Sequence, residues 1–157
     1  MAYKIYVAEY VPENKINLIF RIQIIAESYG IEVTIPPLNL TDESRFKEIK
    51  ESDLVLGIAM RKRKNKREWR RFLYELEIGM KLNKPIVVLT DVPLDIKYPN
   101  AKVVELPKDE REIHIKVNEV MNYIKRKSEN KEFTEAVLTL LGIGFGLYVL
   151  PQLFKNN

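Results

Sequence analysis

The sequence predicts an α/β fold: a three-layer sandwich in which a parallel five-stranded sheet carries helices on both faces. Three observations predict it. Short apolar runs rich in β-branched residues alternate with longer segments of helical period along residues 3–127. The run "DLVLGIAM", residues 53–60, is continuously apolar, as a central parallel strand covered on both faces must be. Gly, Pro and polar capping residues punctuate the junctions. Parallel strands joined by helices need right-handed crossovers, which the flavodoxin-like order 2-1-3-4-5 provides.

Each element has its own justification. "YKIYVA" begins the sheet, and the N-terminus has too short an apolar run and no small-residue cleavage site for a signal peptide. The segment "NKINLIFRIQIIAESYG" sets Ile16, Ile19, Phe20, Gln23, Ile24 and Glu27 at helical spacing, which predicts a helix ending at Gly30. "IEVTIPP" is a second strand stopped by prolines, and "TDESRFKEIKES" a helix with a Thr or Asp cap and a narrow apolar stripe. After the third strand, a helix is expected over 68–82, then strands in "KPIVVLTD" and "AKVVEL", and a last helix in "EREIHIKVNEVMNYIKRK". Strand centres fall near Tyr6, Val33, Val55, Val87 and Val103.

A chain of 157 residues suits one domain with a substantial core plus an appendage. With no cysteine there is no disulfide framework, thiolate metal site or cysteine nucleophile. His114, the single histidine, lies between two isoleucines with no second ligand to meet and reads as structural, so neither metal nor cofactor is expected. Usage rich in Lys, Glu and Ile suits a thermophile. From Ala136 to Phe154 no residue is charged, and a helix of this length nearly crosses a hydrocarbon layer of about 30 Å. The expected organisation is therefore an α/β domain over 1–127, a linker over 128–132 and a transmembrane helix over 133–154. The alternative for that run is a helix packed on the domain itself. Lys125, Arg126, Lys127 and Lys131 precede it, as a cytoplasmic juxtamembrane cluster would, so the expectation is a tail anchor in the cell membrane with the domain in the cytoplasm.

In a doubly wound sheet, ligands bind beyond the carboxyl ends of the strands. That edge holds Ala8, Glu9 and Tyr10, then Pro36 and Pro37, Ala59 and Met60, and Thr90 and Asp91. Glu75 stands about two turns into the helix after the third strand, with Phe72 and Gly79 on its face. A carboxylate beside apolar neighbours, with Gly79 leaving room for a ligand, suits attack on an oxocarbenium-like sugar carbon. The spacing equally suits a helix ion pair with Arg71. Residues Arg61 to Arg71 hold eight Lys or Arg in eleven positions, readable as a solvated charged loop, a phosphate grip or a lipid contact.

The blocks "KIYVAEY", "SYGIEVTIPP", "IKESDLVLGIA" and "YELEIGMKLNKPIVVLTD" resemble those of the nucleoside 2-deoxyribosyltransferase-like superfamily, related in architecture to TIR domains. The likeness spans residues 4–91, and its most specific part is a Glu nine residues before Lys-Pro, here Glu75. It implies that Glu75 attacks or stabilises an anomeric carbon, with Asp91 or Glu9 as the acid. Ala8, Tyr10, Pro36, Met60, Trp69 and Gly79 would line the substrate, and Arg61, Arg63, Arg67 and Arg71 would hold phosphate. Two departures stand out: Glu9-Tyr10 replaces the family's Gly-Pro, and "RKRKNKREWRR" replaces its base-reading Asp-x-Gly-Thr loop, while Trp69 is nearer the TIR variant. The implied function is cleavage or transfer of the N-glycosidic bond of a nucleoside, nucleotide or NAD by a membrane-anchored domain. The alternative is a non-catalytic nucleotide-binding or protein-interaction module. A homo-oligomer is compatible with either, whereas one basic loop without a reading element argues against specific nucleic-acid binding.

Overall fold

A computed structural model of the chain describes residues 2–129. Five strands form one sheet: β1 (Lys4–Tyr10), β2 (Glu32–Thr34), β3 (Leu54–Ala59), β4 (Ile86–Thr90) and β5 (Ala101–Glu105). Their order is β2-β1-β3-β4-β5 and every neighbouring pair is parallel, as expected. All five expected strand centres lie inside these strands.

The helices are α1 (Ile16–Ser28), α2 (Asp42–Lys50), α3 (Lys66–Lys81) and α4 (Glu110–Glu129). Strand alternation divides the core between the two faces of the sheet. Ile5 and Val7 of β1 pack with Leu18, Ile22, Val117 and Ile124 of α1 and α4. Tyr6, Ala8 and Tyr10 turn the other way, onto Ile49 of α2 and Phe72 and Leu76 of α3. Gly30 follows the C-cap residue Tyr29 at φ 76°, the left-handed conformation that ends α1 where expected. Thr41 caps α2, its Oγ1 accepting from the Ser44 N–H at 3.1 Å.

Three expectations are corrected. The buried stripe of α1 is Leu18, Ile19, Ile22 and Ala26, whereas Phe20 and Ile24 are 52% and 67% exposed. The stretch Arg61 to Arg71 is a loop only as far as Asn65. The Asn65 side chain accepts from the Glu68 N–H and starts α3, so the later basic residues are helical. Ser128 and Glu129, expected in a linker, belong to the last turn of α4. No helix among the described residues is long and apolar enough to cross a membrane, and the expected span over 133–154 lies outside them.

Candidate active site

The first element of the site is β1, whose even positions face α3. This alternation sets Tyr6 against Glu75, and the tyrosine hydroxyl donates to Glu75 Oε2. The same oxygen accepts from Arg45 Nη1 at 3.1 Å, an ion pair between residues 30 apart in sequence. Glu75 and Arg45 are each 2% exposed. Arg45 is held on its other edges by three carbonyls: Nε donates to Leu40, and Nη2 donates to both Pro37 and Leu38, all at 3.1 Å. The guanidinium therefore ties the segment after β2 to a carboxylate on α3.

Burial pushes the Glu75 carboxyl above the ordinary glutamate range, opposed by the Tyr6 hydrogen bond, the Arg45 guanidinium and the more distant Arg71. Burial likewise raises the Tyr6 phenol, and the neighbouring carboxylate adds to the effect, which keeps the hydroxyl a donor. Both hydrogen bonds converge on Oε2. Oε1 receives none among the described residues. The anchoring of one oxygen fixes the carboxylate plane and leaves the other without a protein donor among the described residues.

Glu9 stands at the carboxyl end of β1, half-buried, with Oε2 out of solvent and lacking a hydrogen-bond partner among the described residues. Burial raises its pKa, and Arg71 and Lys62 pull it back. It lines a cavity of about 270 Å³ with Tyr10, Glu13, Leu38, Lys62 and Arg71. A neighbouring cavity of about 390 Å³ is lined by Leu38, Leu40, Asp42, Arg45, Arg67, Arg70, Arg71 and Tyr74. Leu38 and Arg71 border both, and Arg71 acts on both Glu9 and Glu75. These residues bring the two carboxylates into one electrostatic neighbourhood.

The remaining expected site residues scatter. Asp91 lies elsewhere: its Oδ1 accepts from the Arg61 N–H at 2.7 Å, and both line a different cavity with Glu105 and Lys108. It clamps the loop after β3 and does not join Glu9. Gly79 is not open space, because a Cβ there would meet Val55 Cγ2 at 3.0 Å; the glycine lets α3 approach β3. Ala8 is fully buried against the α2 and α3 side, and Met60 borders a small cavity with His114 on the opposite face. Pro36 is half-buried in the segment whose next two carbonyls hold Arg45. Tyr10 borders the Glu9 cavity, and Trp69 touches it edge-on with ring centroids 4.9 Å apart. Arg63 is exposed, while Arg67 and Arg71 border the Arg45 cavity. Glu75 pairs directly with Arg45, not with its helix neighbour Arg71.

Sequence reasoning missed Tyr6 and Arg45. The signal for Arg45 was present: it stands four residues before Ile49, on the stripe that α2 buries. An arginine on an apolar stripe requires a buried partner.

No protein-family model and no curated protein matches the chain. Among solved structures it is similar to the 2-deoxyribosyltransferase of the psychrotolerant bacterium Bacillus psychrosaccharolyticus, at 18% identity and a TM-score of 0.50, over 76% of this chain and 91% of that one. It is also similar to the CMP N-glycosidase of Clostridium botulinum, at 17% identity and a TM-score of 0.52, over 73% of this chain and 98% of that one. The chain shares the fold of the nucleoside 2-deoxyribosyltransferase-like proteins.

Proposed function

We propose that the chain cleaves or transfers the N-glycosidic bond of a nucleoside or nucleotide, with Glu75 as nucleophile. The observation that carries this reading is the asymmetry of the Glu75 carboxylate, whose Oε2 is held by Tyr6 and Arg45 while Oε1 receives no hydrogen bond among the described residues. In the proposed reaction Oε1 bonds to the anomeric carbon as the bond from that carbon to the base nitrogen breaks. The bond's electron pair leaves with the base, which takes a proton from Glu9. Water or an acceptor base then releases the sugar and restores the carboxylate. Glu9 suits the acid because burial favours its protonated form and its Oε2 is unsatisfied. Arg45, the ion-pair partner of Glu75, borders one of the two cavities that share Leu38 and Arg71, and Glu9 borders the other. The similar fold of the Clostridium botulinum CMP N-glycosidase supports the reaction class by analogy.

A second reading, a binding module without chemistry, is favoured by one fact: Glu75 is only 2% exposed and serves Arg45 as a counter-ion. Incubating the full chain with a panel of nucleosides, nucleoside monophosphates and NAD, and following free base by chromatography, separates the two. The glycosidic reading expects base release that Glu75→Gln abolishes. No release from the full chain, in detergent or reconstituted into vesicles, supports the binding module. Because Gln leaves Arg45 without its counter-ion, a melting curve of the variant accompanies the assay.

A further inference from the structure

A second cavity opens on the other side of Tyr10. It has a volume of about 760 Å³ and is lined by Tyr10, Arg61, Lys62, Lys64, Lys66, Trp69, Arg70, Val92 and Pro93. No carboxylate is among these residues. Lys62 is already neutralised by Glu68, and its Nζ lies over the Tyr10 ring. Lys64, Lys66 and Arg70 make no ion pair or side-chain hydrogen bond among the described residues. Arg61 donates from Nε to the Asp91 carbonyl at 3.3 Å and retains its charge uncompensated by a direct ion pair.

Like charges gathered in one groove repel one another unless an anion joins them. Between the cations stands Trp69, stacked on Phe72 at 5.4 Å and half-buried, so that its remaining exposed surface borders the groove. An aromatic surface surrounded by unpaired ammonium and guanidinium groups recognises a planar group that carries phosphate. The volume lies in the range of small-ligand sites, roughly 300–1,000 Å³, and Arg61, Lys62, Lys64, Lys66 and Arg70 all border this one concavity.

We propose that this groove binds a nucleoside polyphosphate, its base against Trp69 and its phosphates on Lys64, Lys66, Arg70 and Arg61. Nucleotide binding here does not depend on the glycosidic reading: the lining excludes Glu75, shares Arg70 with the Arg45 cavity, and shares Tyr10 and Lys62 with the Glu9 cavity. Occupancy of the groove is then positioned to bear on the reaction through those two residues.

Trp69 is the chain's single tryptophan and lines this groove, so its fluorescence is the signal followed. The full chain is titrated with CTP and ATP, then with the corresponding monophosphates and nucleosides, with inorganic triphosphate and with a single-stranded oligonucleotide. The expected result is a saturable change with at least one triphosphate that weakens about tenfold or more from triphosphate to monophosphate, as charge-assisted bonds to the outer phosphates are lost. Inorganic triphosphate binds more weakly than the nucleotide. The triple change Lys64→Ala, Lys66→Ala and Arg70→Ala, all at exposed positions, weakens triphosphate binding about a hundredfold without changing the melting temperature. Glu75→Gln retains the fluorescence response, which separates this site from the proposed reaction. Absence of any response at millimolar nucleotide, equal affinity for nucleoside and triphosphate, or tighter binding of the oligonucleotide per site than of every nucleotide would overturn the proposal.

Discussion

Glu75 has two donors on one oxygen and none on the other among the described residues, and the proposed reaction turns on this asymmetry. Removal of either partner from a buried ion pair costs about 3–5 kcal/mol, so Arg45 and Glu75 are structural as well as chemical residues. Tyr6 separates the two roles. Its hydrogen bond favours the charged carboxylate, and burial favours the neutral acid. A nucleophile must be charged, so activity rises as pH rises through the Glu75 pKa. Tyr6→Phe removes a stabilising donor and raises that pKa, and the acid limb of kcat/KM moves to higher pH. The displacement follows from loss of a hydrogen bond that favours the charged carboxylate. A pH–rate profile that does not move would show that Tyr6 does not touch the reacting carboxylate. The place of Glu75 was legible from its spacing to Lys84-Pro85, but its partners were not: Arg45 is 30 residues away and meets it only after α2 has packed beside α3.

The sheet was legible because a central parallel strand must be apolar on both faces, and 54–59 and 86–90 are buried throughout. Helix faces were harder to read. In α1 the residues Ile16, Leu18, Ile19, Phe20, Ile22, Ile24 and Ile25 offer more than one apolar stripe, and only packing on α4 and the sheet selects the one buried. The start of α3 was obscured by its charge, although Asn65 followed three residues later by Glu68 is a capping signal. Gly79 belongs to this scale, because it sets the distance between α3 and β3. Gly79→Ala is expected to destabilise the fold by about 1–3 kcal/mol, as an added methyl meets Val55, and to leave nucleotide affinity unchanged. Chemical denaturation and a binding titration check the two halves. Loss of affinity without loss of stability would return Gly79 to the ligand site.

For the whole molecule, the crest of the sheet presents two unlike concavities on either side of Tyr10 and Lys62. One holds the carboxylate Glu9 with Arg71, and the other is cationic around Trp69. The basic residues that sequence alone presents as one run are thereby divided between different surfaces, a division only the helical phase of α3 could supply. We also propose that the uncharged run 136–154 anchors the chain at a membrane, a reading supported by its composition and by the Lys and Arg residues before it. Flotation with lipid vesicles tests it: the full chain is expected to float and residues 1–129 to remain at the bottom. A full chain that stays with the truncated one would contradict anchoring.

The central claim is a covalent bond to one oxygen of one residue. The most direct measurement is peptide mapping by mass spectrometry after incubating the full chain with a nucleoside or nucleotide substrate bearing fluorine at the sugar 2′ position, which slows release of the sugar from the enzyme. The account predicts a glycosyl adduct on Glu75, formed with release of one equivalent of base and absent from Glu75→Gln. Base release accompanied by an adduct on another residue, or continuing undiminished in Glu75→Gln, would contradict it.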